Sequence, residues 1–352
     1  MSTKTRPGNF FEDFVVGAEL VHATPRTVTE GDVAMYQALF GGRFAVMSSS
    51  PFAQSFGLPK APVDDLLAFH LIFGKTVPDV SLNAIANLGY AGGVFGVPLY
   101  PGDTIATRSH VTGVKENKDG KTGVVYVHSV GTNQRGEMVV DYHRWVMVRK
   151  RDVSSPPPAV VVPTLPTSVP VDALHVPYAI TGEYDTALAG SADLWDDYAV
   201  GERIDHVDAM TIEEAEHQLA TRLFQNTAKV HFNQHVEREG RFGRRIVYGG
   251  YVISLARALS FNGLANAQRI VAIHGGRHVA PTFAGDTIYA WSEITAKDAL
   301  PNRDDLGVLR VRTIATKDRA CADHPSTNAD GTWVDGVVLE FDYSVVMPRR
   351  TR

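Results

Sequence analysis

This chain repeats itself. The run PLYPGDTI, Pro98 to Ile105, returns as PTFAGDTI, Pro281 to Ile288, a displacement of 281 − 98 = 183 residues. Near the start of each half, FEDFVVG ending at Gly17 returns as WDDYAVG ending at Gly201, a displacement of 201 − 17 = 184. Two landmarks this far apart with almost the same offset mark a duplicated domain. The length of 352 residues fits that reading, since it holds two domains of roughly 150 residues, each able to bury a core. Between the copies runs SSPPPAVVVPTLPTSVPV, Ser154 to Val171, whose six prolines forbid a helix and favour an extended strap. The expected division is a first repeat over 1–153, a Pro-rich linker over 154–190 and a second repeat over 191–352.

Each repeat predicts the same order of elements. Thr29-Glu-Gly-Asp32 and Thr211-Ile-Glu-Glu214 have the form of capped helix starts, followed by apolar residues at helical spacing. A second helix follows in each half, over roughly 65–76 and 250–264, apolar on nearly every side and therefore wrapped by its own domain. Strands are then expected over 105–115, 123–132 and 138–149, and again over 287–296, 307–317 and 337–347. The sum is an α+β architecture of two tandem repeats, each a long helix enclosed by an antiparallel sheet.

Charge and cysteine content narrow the function. A formal charge of −5 gives no basic field for nucleic acid, although Arg241, Arg244 and Arg245 cluster locally. The single Cys321 offers neither an internal disulfide nor a cysteine cage for metal, which suits a reducing compartment. The first residues lack the apolar core of a signal peptide, and no run approaches the ~18 apolar residues of a membrane helix. A cytoplasmic location away from membranes is expected. His231/His235 and His274/His278 have the i, i+4 spacing of helical metal ligands, but the first pair lacks the zinc-protease glutamate and the second encloses Gly275-Gly276, so no metal site is expected.

The two halves differ where chemistry would sit. The 184-residue offset places Gly42 on Asn226, Met47 on His231 and Asp65 on Gly249. Only the second half therefore carries a side chain that moves protons, His231, near a Gly249-Gly250 helix start whose backbone N–H groups can hold an oxyanion. Asn226 also reads as a turn or C-cap residue, and Gly249-Gly250 as a tight helix entry.

The stretch Gln225-Asn226-Thr227-Ala228-Lys229-Val230-His231, followed by Val247-Tyr248-Gly249, resembles the signature of the MaoC-like (R)-specific enoyl-CoA hydratases, Gly-Asp-x-Asn-Pro-x-His and then Val-His-Gly. The resemblance extends over nearly all of the chain. It implies a double hot-dog fold and reversible hydration of a branched, carboxylated enoyl-CoA, without a metal or redox cofactor, in a homo-oligomer, expected as a dimer. It further implies that His231 transfers protons, Gly249 donates to the oxyanion, and Tyr248 and Gly250 border the bound acyl group. The family's aspartate is replaced by Asn226, which as an amide orients water but accepts no proton. Asp64 and Asp65 are the candidate stand-ins. Arg244, Arg245, Arg257 and Arg277 are candidates for the substrate carboxylate or the CoA phosphates. A hydratase of other acyl chains, a hot-dog thioesterase and a non-catalytic acyl-CoA binder share these features.

Overall fold

The structure is a computed structural model that describes residues 4–322 and 325–350; the outermost positions of the two expected repeats, 1 and 352, lie outside the described residues. Ten strands form one antiparallel sheet in the order β1-β3-β4-β5-β2-β7-β10-β9-β8-β6. They are β1 Glu19–Thr27, β2 Ala84–Phe95, β3 Thr104–Glu116, β4 Thr122–Thr132, β5 Met138–Arg149, β6 Arg203–Thr211, β7 Arg269–His278, β8 Thr287–Ala299, β9 Leu306–Lys317 and β10 Val337–Pro348. Read from either edge the order is the same, with β6 to β10 repeating β1 to β5. The halves meet where β2 pairs with β7, Tyr90 opposite Gly276 and Val94 opposite Ala272.

Among the described residues four helices have ten residues or more: α1 Glu30–Phe40, α2 Asp65–Thr76, α3 Glu214–Leu223 and α4 Gly249–Leu259; α2 and α4 lie on the sheet, and α1 packs against α3 and α4. Every residue of α2 is buried, as is most of α4, because the sheet curls around one side of each and the other helix covers the remainder. β4 alternates buried and half-buried residues along almost its whole length, which turns one face inward, Val125 and Val127 toward Phe11 and Phe14 and Gly131 against Ile72 of α2. One apolar core runs through both halves, with Phe40, Phe69 and Phe73 meeting Phe224, Tyr248 and Tyr251. The Pro-rich strap crosses the molecule. Val161 pairs with Val114 on β3, the Val169 N–H reaches His274 on β7 at 2.9 Å, and the Ile180 N–H reaches Asp305 at 3.0 Å.

The Thr29 capping box forms as expected, Asp32 N–H to Thr29 Oγ1 at 3.2 Å and Thr29 N–H to Asp32 Oδ2 at 2.8 Å. Its expected counterpart at Thr211 does not. Thr211 ends β6 and its hydroxyl meets Thr287 across the sheet at 2.9 Å, so α3 starts only at Glu214. The last expected helix also ends early, at Leu259, because Asn262 and Gly263 (φ 99°) leave helical geometry. β1, β2, β6 and β7 are additional to the six expected strands. β1 and β6 are mostly exposed edges without alternation, and β2 and β7 carry the glycines of GYAGG and HGGRH.

Candidate active site

His231 sits on a one-turn helix, Lys229–Phe232, entered through a tight turn. Gln225 ends α3 in the left-handed region (φ 53°) and the Asn226 N–H returns to the Thr221 carbonyl at 3.0 Å. Asn226 Oδ1 accepts from the Ala228 N–H at 3.1 Å, which closes an Asx turn and spends one face of the amide locally. The segment before α4 runs back along this turn. Ile246 N–H bonds the Val230 carbonyl at 3.1 Å, and His231 Nδ1 lies 3.1 Å from the Ile246 carbonyl. A carbonyl only accepts, so Nδ1 carries the proton and Nε2 keeps its lone pair. Gln218 Nε2 holds the His231 carbonyl at 2.5 Å. His231 is half-buried, and desolvation, with some help from nearby His217, lowers its pKa to about 4. At neutral pH it is an uncharged base.

α4 begins beside this base. Tyr248 is its N-cap and provides no side-chain bond, which leaves the amides of Gly249 and Gly250 uncapped at the positive end of the helix. The Tyr248 ring stands edge-on to His231, centroids 5.6 Å apart. Both glycines are required by their neighbours. A methyl group at Gly249 would lie 2.3 Å from Cε1 of His278, and one at Gly250 would lie 2.4 Å from Tyr248 and 2.6 Å from His70. His70 belongs to α2 of the first half, where its Nε2 meets Ser254 Oγ at 3.0 Å, and Tyr36 donates to the same hydroxyl at 2.9 Å. Burial pushes His70 down to about 3, so it too is neutral. The two central helices are thus locked side by side at the site.

A cavity of about 430 Å³ leads to Asn226 between the halves. Gly74, Lys75 and Pro78 at the end of α2 form one wall, and Thr221, Asn226 and Phe232 another. Lys75 Nζ is held by Gln225 Oε1. In the first half a void of about 20 Å³ lies beside Gly42, Met47 and Asp64.

His231, Asn226, Tyr248, Gly249 and Gly250 come together; Arg244, Arg245 and Arg257 do not join them, and Arg277 is exposed on β7 next to His278. Arg257 is buried 257 − 249 = 8 residues along α4, about 12 Å at the helical rise, stacked on Phe44 and bonded to the Ala267 carbonyl. Arg245 pairs with Glu214, and the exposed Arg244 lies over Phe283. The proposed stand-in carboxylates are also elsewhere. Asp65 is engaged by Arg269 and by the Ile270 N–H at 2.9 Å. Asp64 caps α2 through the Leu66 N–H at 2.8 Å, within the field of Arg257 at the far end of α4; burial, and then Asp65, raises it to about 6. The histidine pairs resolve differently from metal ligands. Asn233 (φ −97°, ψ 81°) interrupts the helix between His231 and His235, and His274 and His278 lie on β7, His274 bonded to Ser344 at 2.7 Å. His70 and His278 are the site residues that sequence reasoning did not place there. The only local signal was a histidine two residues after a Gly-Gly, on what proves to be a strand.

A family model for mesaconyl-CoA hydratase matches residues 1–325. The chain belongs to the mesaconyl-CoA hydratase family. It is 69% identical over 351 residues, 99% of this chain and 100% of the relative, to a β-methylmalyl-CoA dehydratase of Chloroflexus aurantiacus. It is 53% identical over 347 residues, 98% and 100% of the two chains, to a mesaconyl-CoA hydratase of Cereibacter sphaeroides. Among solved structures, one from Chloroflexus aurantiacus described as a MaoC domain protein superposes with TM-score 0.98 at 69% identity, covering 99% of this chain and 100% of that one. A Mycobacterium tuberculosis protein with a double hot-dog fold superposes at 0.73 with 24% identity, covering 97% and 99%, a likeness of fold. The mesaconyl-CoA hydratase family and its MaoC-like relatives agree with the fold and family expected from the QNTAKVH and VYG motifs.

Proposed function

We propose that this chain catalyses the reversible addition of water to mesaconyl-CoA, giving β-methylmalyl-CoA, with His231 moving the proton and the Gly249 amide holding the oxyanion. Water gives a proton to Nε2 of His231 as its oxygen bonds the β-carbon. The electron pair of the double bond moves toward the thioester, and negative charge gathers on the carbonyl oxygen. The uncapped start of α4 stabilises that charge. His231 then returns the proton to the α-carbon, so every atom of water is accounted for and the base is reset. Asn226, its Oδ1 tied to Ala228, has its Nδ2 left to orient water. Lys75 and Arg222, in the walls of the cavity between the halves, suit the CoA phosphates as cations. On this reading residues 191–352 carry the reacting groups and residues 1–153 shape the acyl site. A CoA thioester is the partner, in a cytoplasmic homodimer whose mass sedimentation would establish.

The observation that carries the reading is a neutral base, His231, set beside an uncapped helix start. Loss of the enoyl-thioester absorbance of mesaconyl-CoA on mixing with the protein is the direct assay. His231→Ala is expected to lower turnover at least about 10³-fold while CoA binding persists; nearly normal turnover would refute the assignment, and release of free thiol would indicate a thioesterase instead.

A further inference from the structure

An oxyanion formed at a thioester is commonly held by two donors, and the helix start supplies backbone amides on one side only. The other side is occupied by His278, the last residue of β7. Its ring edge faces Gly249: a methyl group there would lie 2.3 Å from Cε1, 2.5 Å from Nδ1 and 2.6 Å from Nε2. Both ring nitrogens therefore flank the point where the Gly249 backbone turns into α4. Tyr90, from β2 of the other half, stands edge-on to this ring with centroids 5.9 Å apart, and its hydroxyl lies 3.4 Å from Nε2. The Tyr90 hydroxyl has no other hydrogen bond among the described residues; donation to Nε2 is the direction that satisfies its proton, and in that tautomer the imidazole proton sits on Nδ1.

We propose that His278 is the second oxyanion donor, its Nδ1–H pointing with the Gly249 amide at the thioester oxygen, and that Tyr90 is a positioning residue that sets the donating tautomer. The inference rests on the hydratase reading given above. Burial, with the field of His231 beside it, lowers His278 to about 4, so the ring is uncharged at neutral pH. A neutral imidazole polarises a carbonyl without giving up its proton, as in the handling of a carbonyl by triosephosphate isomerase. No proton changes hands at His278. The proton taken from water by His231 is the one returned to the α-carbon, and the hydrogen bond at Nδ1 shortens as charge builds on the oxygen. This arrangement also gives a role to an otherwise unexplained close approach, since a histidine against a glycine at a helix start fills space that an apolar side chain would fill more cheaply.

The test uses the full chain with mesaconyl-CoA as probe. His278→Leu is expected to lower kcat about 10²- to 10³-fold with KM changed less than about threefold, because the donor acts mainly in the transition state. His278→Gln retains an N–H donor and is expected to recover at least about tenfold of that loss, and Tyr90→Phe, which keeps the ring packing, to lower kcat about tenfold. A spectroscopic reading separates donation from packing. Mesaconyl-CoA bound to His231→Ala is expected to show its thioester carbonyl stretch moved to lower frequency, and His231→Ala/His278→Leu to lose most of that shift. Should His278→Leu fail to fold, the carbonyl shift and kcat of His278→Gln against Tyr90→Phe still decide: equal, wild-type values in both would overturn the proposal. So would His278→Leu with kcat within about threefold of wild type. If wild type itself does not hydrate mesaconyl-CoA, the functional reading fails; if wild type does and His278 is indifferent, only this inference fails.

Discussion

Gly249→Ala places a single methyl group where the structure has none to spare. The new carbon would lie 2.3 to 2.6 Å from three atoms of the His278 ring, whereas carbon contacts settle near about 3.5 Å. The ring or the start of α4 must therefore withdraw by about 1 Å. The backbone itself does not resist, because Gly249 is helical and lacks a positive φ. Alanine is even favoured over glycine in a helix by about 0.5–1 kcal/mol, which offsets part of an overpacking cost of about 1–3 kcal/mol. Stability should consequently fall by no more than about 2.5 kcal/mol. Turnover should fall much further, since a displacement of about 1 Å in a reacting constellation costs about 10²-fold, or about 3 kcal/mol in the barrier. Initial rates of enoyl-thioester loss at saturating mesaconyl-CoA give kcat, and thermal melts of the same preparations give the stability. Gly42→Ala is the control. It stands opposite Asn226 in the first half, nothing lies within 4 Å of the added carbon, and its kcat should remain within about twofold. A folded Gly249→Ala enzyme with kcat within about threefold of wild type would show that the helix start does not hold the reacting oxygen.

Other outcomes follow from the same geometry. His231 and His278 are both held near 4, below the ordinary imidazole value of about 6.5. The neutral forms that the mechanism needs exist above the lowered pKa, so kcat/KM should stay level as pH falls through about 6.5 and decline only toward about 4, in steps belonging to the pair. An acid limb centred near 6.5 would mean that at least one of the two histidines is not desolvated as described. Asp65→Asn leaves the Arg269 guanidinium buried without its counter-charge, and should cost about 3–5 kcal/mol in urea unfolding while leaving kcat of the remaining folded enzyme close to normal. A loss under about 1 kcal/mol would show that the pair is dispensable.

Much of this protein was legible in its residues. The PGDT/AGDT repeat fixed the duplication, Thr29 and Asp32 fixed the start of α1, and the segment Asp65–Thr76, apolar on nearly every side, fixed a buried helix, since a helix without a broad polar face has to be enclosed. The replacement of Met47 and Gly42 by His231 and Asn226 is what puts the proposed reaction centre in the second half, because proton transfer needs a titratable side chain and the offset identifies its counterpart. These are local or strictly periodic properties, and a sequence records such properties directly. The edge strands β1 and β6 and the glycine-bearing β2 and β7 lack that periodicity; they form because partners elsewhere in the chain satisfy their backbone. The arginines illustrate the same limit, since whether a guanidinium is free depends on Glu214, Ala267 or Asp65 arriving beside it. His70, Tyr90 and His278 reach the Gly249 helix start from another helix and from the two strands that join the halves, 188 residues separating Tyr90 from His278. Only close packing of α2, α4, β2 and β7 decides that a histidine on a strand and a glycine on a helix share one point in space, because their proximity is set by the sheet order and not by any spacing along the chain.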